Sequence, residues 1–152
     1  MSCYLGARYG GYSDAFVAAA ATYGRHLGIA YQIYDDLTDF FGDEKKIGKT
    51  LGTDLASGKI TLPLEALLAR LPGAERAELI DEITGRRPPQ PALRIQQMSA
   101  LGVFDAVVSA VAEELGHGEA ALAPFAAEPP TLPLMRLGAV LRQQVAVLRS
   151  GA

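Results

Sequence analysis

The sequence predicts an all-α protein. Sustained period-2 alternation is missing and Val, Ile and Thr seldom cluster, so strand signals are weak. Apolar residues recur instead at three- and four-residue spacing, with Pro and Gly at the breaks between runs. Ser13 or Asp14 caps a helix that continues through the alanines to about Phe41. Leu62 to Leu71 carries Pro63 in its first turn and stops before Pro72-Gly73. Glu75 to Thr84 sets Leu79, Ile80 and Ile83 at helical spacing ahead of Gly85-Arg-Arg-Pro-Pro. Pro91 to Leu101, Val103 to Leu115 and Leu132 to Leu148 supply three more helices. The last places Leu134, Leu137, Val140, Leu141, Val145 and Leu148 on one stripe. Residues 86–90 and 124–130 are polar or proline-rich connections, too short to be domain linkers.

The chain has 152 residues, 49% of them apolar, enough for one globular domain or part of a larger one. A formal charge of -3 without any basic run argues against nucleic acid or an anionic membrane as partner, since both need a concentrated positive footprint. Apolar runs such as 15–21 fall far short of the roughly 18 to 20 residues of a membrane span. No secretory signal follows Met1, so a cytoplasmic protein with no integral membrane segment is expected. Cys3 stands alone, which excludes an internal disulfide and suits a small packing residue.

Charge is unevenly placed. The lysines, Lys45, Lys46, Lys49 and Lys59, lie close together, directly after Asp35, Asp36 and Asp39. On a helix with Gln32 at zero, Asp35 falls near about 300°, Asp36 near 40°, Asp39 near 340° and Gly28 near 320°. Phe16, Tyr23, Leu27, Ala30, Tyr34 and Phe41 collect on the opposite face. Ile29, Ile33 and Phe40 flank the acid strip on one side and Tyr31 on the other, so a helix buried except along that strip is expected. Neighbouring carboxylates about 4 Å apart repel by roughly 4 kcal/mol at an effective dielectric of 20, so a walled-in trio calls for a cation. Oxygen-only donors suit Mg²⁺, which takes one or two carboxylates together with phosphate oxygens. An isolated acidic patch is more often a solvated helix face. The apolar flanks and Gly28, whose missing side chain leaves room for a ligand, weigh against that reading.

Gly42 to Lys59 is glycine-rich and carries the lysines, which suit phosphate oxygens as point charges. Carboxylates that hold Mg²⁺ beside lysines that neutralise phosphate form the pairing needed for a diphosphate. Gly42 to Thr50 is not a nucleotide P-loop, because five residues separate its glycines and it follows a helix rather than a strand. His26 and His117 have neither a helical partner histidine nor an HExxH context, and are expected as surface or internally satisfied residues. The tyrosines are expected to pack, with Tyr31 and Tyr34 near enough to the acid strip to touch an apolar substrate tail.

The segment Gly28-Ile-Ala-Tyr31-Gln32-Ile-Tyr-Asp35-Asp36-Leu-Thr-Asp39, with Gly48-Lys49, Gly52-Thr-Asp54 and Gly58-Lys59-Ile-Thr-Leu-Pro63 after it, resembles the second aspartate-rich motif and trailing lysine loop of the trans-type polyprenyl diphosphate synthases. The resemblance implies an all-helical bundle of the isoprenoid synthase type, usually a homodimer. It implies head-to-tail prenyl transfer, in which Mg²⁺ between two aspartate-rich helices draws off the diphosphate of an allylic substrate and isopentenyl diphosphate adds to the cation. Carried over by position, Asp35, Asp36 and Asp39 are implied Mg²⁺ ligands, Lys49 and Lys59 diphosphate contacts, and Gln32 part of the allylic site. Tyr31 stands where the family more often has Phe, and keeps an aromatic wall.

Family members run to about twice this length. Their first aspartate-rich motif lies on N-terminal helices, whereas these 152 residues contain DDLTD as their one clustered DDxxD. Residues 1–152 are therefore expected to form the C-terminal half of such a domain, working with a chain, in a homo- or hetero-oligomer, that supplies the first motif. Half a metal site is not expected to ionise an allylic diphosphate alone. Two alternatives stay open on sequence: a diverged or regulatory subunit that binds diphosphate without chemistry, and a structural helical protein whose DDLTD is a solvated face.

Overall fold

A computed structural model describes residues 1–42 and 50–151. Lys45, Lys46 and Lys49 lie outside the described residues. In chain order the helices are α1 (Ser2–Tyr9), α2 (Asp14–Phe41), α3 (Thr53–Ala56), α4 (Leu62–Arg70), α5 (Gly73–Ile83), α6 (Pro91–Ala100), α7 (Val103–Leu122) and α8 (Thr131–Gly151), with a 3₁₀ turn at Ala123–Phe125. None of the described residues is in a strand. No single helix among them is long and apolar enough to cross a membrane.

The chain divides into two compact units, Met1–Gln32 with Ala110–Ala146 and Ile33–Ser109 with Val147–Ala152. In the first, Ser13 Oγ accepts the backbone N–H of Phe16 at 3.2 Å, the cap predicted for α2. A Cβ on Gly24 would stand 2.9 Å from Cys3 Cβ and Sγ, so Cys3 packs as a small side chain where α1 meets α2. Phe16, Val17, Ala20, Tyr23 and Leu122 form the core. The Tyr23 hydroxyl donates to the carbonyl of Leu134 and accepts the N–H of Gly138 at 3.2 Å. The predicted α8 stripe divides: Leu141 and Val145 are buried, whereas Leu137 and Val140 are exposed, because the latter pair sits about 60° and 120° round the helix from the buried line.

In the second unit α3 packs on α5 and α4 on α6. Leu37, Phe40, Leu55, Leu64, Leu67, Leu79, Met98, Val103 and Val107 make one core. An ion pair lies inside this unit: Arg94 donates to both carboxylate oxygens of Glu82, at 2.6 and 3.3 Å, and both side chains are fully buried. Gln90 N–H and Gln97 Oε1 meet the remaining groups at 3.1 and 2.7 Å.

Predicted and observed helices agree within two residues at most ends. The C-terminal ends of α7 and α8 are exceptions: α7 runs to Leu122 rather than Leu115, with Gly116 and Gly118 carried inside it, and α8 runs to Gly151 rather than Leu148. α1 and α3 were not expected; both are short, eight and four residues. The flanks of the acid strip also differ from expectation. Phe40 is buried, but Ile29 and Tyr31 are 40% and 57% exposed, so α2 is not walled in on those positions.

Candidate functional site

The acidic turn closes α2, and the three aspartates have three different surroundings. Asp35 is exposed, and its carboxylate has no hydrogen bond or ion pair among the described residues. Asp36, expected on the open strip, is 8% exposed and accepts from Lys59 Nζ at 2.8 Å. Asp39 is half-buried and organises the chain that follows. Its backbone carbonyl accepts Gly52 N–H at 2.7 Å, its Oδ1 accepts the Thr53 hydroxyl, and its Oδ2 accepts Asp54 N–H at 2.9 Å. Each carboxylate oxygen has two lone pairs, so Asp39 keeps acceptor capacity after these bonds.

Residues 50–59 are held against this helix end by two tight turns. Gly52 has φ +75 and a Cβ there would lie 2.5 Å from Pro91 Cβ; Gly58 has φ +69 and a Cβ would lie 2.8 Å from the Ile83 carbonyl. The turn at Gly58 brings Lys59 back over α2, where Nζ reaches Asp36 and, at 3.3 Å, Asp54. These two carboxylates hold the Lys59 ammonium above its ordinary range, the Asp36 hydrogen bond contributing most. The lysine remains cationic across the physiological range.

A depression of about 100 Å³ is lined by Asp35, Thr38, Asp39, Thr50, Leu51, Thr53 and Asp54. Every side-chain donor atom on that wall is oxygen. The Asp54 carboxyl is pushed up, first by burial and then by the charge of Asp39, with Lys59 opposing. Spare negative charge of this kind, on oxygen donors alone, fits a hard divalent cation such as Mg²⁺. Asp35 and Asp39 thus meet as the helical wheel predicts, while Asp36 sits beside the depression with Lys59. Tyr31 and Gln32 are exposed on the preceding turn of α2. Thr53 and Asp54 were not singled out by sequence as site residues; the signal was present in Gly52-Thr-Asp54, and reads as a site only once the turn at Gly52 folds it onto Asp39.

The raised Asp54 pKa has a measurable consequence. A folded pKa above the unfolded value means stability that is complete below the unfolded pKa, about 3.9, and declines as pH rises through the folded value. Ionised Asp54 therefore costs stability at neutral pH. Asp54→Asn should raise Tm at pH 7, with the gain vanishing below about pH 4; melting curves across that range check it.

The fold and this oxygen-lined, lysine-bearing helix end place the molecule among the all-α isoprenoid synthase folds. Over 93% of its length it superposes on a polyprenyl synthase from Roseobacter denitrificans with a TM-score of 0.80 and 29% identity, covering 46% of that chain. A geranylgeranyl pyrophosphate synthetase from Pyrococcus horikoshii shares the fold at TM-score 0.71 and 23% identity, over 86% of this chain and 40% of that one. Residues 1–100 match the sequence profile of the polyprenyl synthetase family, and the chain belongs to that family. Among curated relatives, it is 44% identical over 75 residues to a short chain isoprenyl diphosphate synthase from Methanothermobacter thermautotrophicus, 49% of this chain and 23% of the relative. It is 33% identical over 93 residues to heptaprenyl diphosphate synthase component 2 of Bacillus subtilis, 61% of this chain and 27% of that one. To octaprenyl diphosphate synthase of Escherichia coli it is 38% identical over 105 residues, 66% of this chain and 31% of that one. The chain thus matches about a quarter to a third of the curated relatives' length, and just under half of the solved structures.

Proposed function

We propose that this chain provides the second aspartate-rich half-site of a polyprenyl diphosphate synthase, which joins isopentenyl diphosphate to an allylic diphosphate. The observation that carries the reading is the juxtaposition of Asp35, Asp39 and Asp54 on one depression with the Lys59 ammonium at its edge. In this reading Asp35, Asp36 and Asp39 hold Mg²⁺, Asp35 from the open side, Asp39 through its remaining lone pairs and Asp36 while sharing its charge with Lys59. Bound Mg²⁺ supplies charge neutralisation to the departing diphosphate. Lys59, about half exposed, moves its ammonium from Asp36 and Asp54 to phosphate oxygens, and Lys49 adds a second cation. Gln32 and Tyr31 line the allylic site, Gln32 as a hydrogen-bond donor and Tyr31 as an aromatic wall. In this reading Asp35, Asp36 and Lys49 are the residues that act on the departing diphosphate.

The first aspartate-rich motif comes from another segment or chain, so that the complete site, with its domain of which residues 1–152 form the C-terminal half, is an oligomeric or two-part assembly. The relative named component 2 of heptaprenyl diphosphate synthase supports an enzyme built from more than one component.

The test is a melting experiment on this chain with Mg²⁺ and farnesyl diphosphate. Ligand at 100 times its Kd should add about 2.7 kcal/mol of stability. The shift should need both components and should disappear in Asp35→Asn. An unchanged melting curve at millimolar Mg²⁺ and diphosphate would sink the reading. Binding that persists in Asp35→Asn would instead favour a diphosphate-binding subunit without chemistry.

A further inference from the structure

The described residues bring three metal-ligating side chains within 4.8 Å of one another at one place, away from the aspartates: His26, Glu114 and His117. These are both histidines of the chain. They were expected as unrelated surface or satisfied residues, yet α2 supplies one and α7 the other two, all inside the first compact unit. Glu114 and His117 form a Glu-x-x-His pair, whose i,i+3 spacing puts both on one helix face, the arrangement by which helical bundles present a carboxylate and an imidazole to one ion. Gly118 makes the approach possible. A Cβ there would lie 3.2 Å from the Tyr23 ring and 3.3 Å from His26 Cβ, so a larger residue would hold α7 away from His26.

His26 is already oriented. Its Nδ1 lies 2.7 Å from Glu114 Oε2, and its Nε2 lies 3.3 Å from Arg25 Nη2. A guanidinium only donates, so Nε2 is the lone-pair nitrogen and Nδ1 carries the proton towards Glu114. The His117 ring centroid is 5.5 Å from that of His26, and His117 is exposed, free to swing towards the same point.

We propose that His26, Glu114 and His117 form a site for a borderline-soft divalent transition metal of the Zn²⁺ class. Tetrahedral ligands about 2.0 Å from Zn²⁺ stand roughly 3.3 Å apart, so closure from the observed spread takes side-chain rotation alone. Three protein ligands leave a fourth position to water. Imidazole donors favour Zn²⁺ over Mg²⁺, which separates this site from the all-oxygen depression at the end of α2. On binding, His26 Nδ1 gives up its proton and takes the ion beside Glu114, the proton is carried on Nε2 instead, and Arg25, exposed and on a flexible stem, moves off Nε2.

The experiment uses the full chain without a histidine tag, stripped of metal and titrated with Zn²⁺ by calorimetry, with Co²⁺ absorption as a second readout. One equivalent should bind. His117→Gln, at an exposed position that leaves the fold intact, should weaken binding at least about tenfold, the scale that even a lost outer-shell partner costs. Asp35→Asn should leave it unchanged, and excess Mg²⁺ should not displace the ion. Failure to bind one equivalent, equal affinity in His117→Gln, or loss in Asp35→Asn would each overturn the proposal, whatever the fate of the diphosphate site.

Discussion

In the proposed two-part prenyltransferase, Asp35→Asn should lower kcat by about 10² to 10³, the equivalent of 2.7–4 kcal/mol that one preorganised electrostatic group contributes to a transition state. The substitution keeps the side chain's size and removes its charge. Because Asp35 is exposed and unengaged among the described residues, stability should stay within about 0.5 kcal/mol of the parent, so any loss of rate reports on chemistry rather than folding. Asp36→Asn gives a useful contrast. It removes the ion pair to Lys59 at 2.8 Å as well as a proposed metal ligand, and should lower both rate and melting temperature. Steady-state rates at saturating isopentenyl diphosphate, with melting curves on the same preparations, separate the two effects.

Arg94→Met should be the most destabilising single change in the second unit. It strands the Glu82 carboxylate in a core where both side chains are fully buried. Breaking one partner of a buried pair costs about 3–5 kcal/mol, which for a chain of this size is a fall in Tm of roughly 6–20 °C. The double variant Arg94→Met with Glu82→Leu should recover most of that loss, since an apolar pair of similar volume no longer carries an uncompensated charge. Chemical denaturation of the parent, the single and the double variant checks both statements. A single variant within 1 kcal/mol of the parent would show that Gln90, through its N–H and Nε2, already satisfies Glu82 without the guanidinium.

The helical order was legible because proline and glycine punctuate it: Pro63, Pro72-Gly73 and Pro91 each fall at an observed helix boundary. Periodicity located the acid strip for the same reason, since α2 is regular from Asp14 to Phe41. What a helical wheel does not contain is the return of a later segment. Burial of Asp36 depends on Lys59, twenty-three residues on, and the recruitment of Thr53 and Asp54 depends on positive φ at Gly52. The meeting of His26 with Glu114 and His117 was hidden by their separation along the chain. The Glu-x-x-His spacing was readable, but without a facing helix it had no partner to suggest a site. Lys49 lies outside the described residues, so its part in holding diphosphate rests on the family motif.

The central claim is that the aspartates ending α2, with Lys59, form half of a Mg²⁺-dependent prenyl-transfer site. Incorporation of labelled isopentenyl diphosphate into farnesyl diphosphate, with this chain combined with a polypeptide that carries the first aspartate-rich motif, tests it most directly. Product should form with Mg²⁺, stop on chelation, and be absent from either polypeptide alone. A folded, stable assembly of the two that forms no product, or forms it equally well with Asp35 and Asp39 both changed to Asn, would contradict the claim.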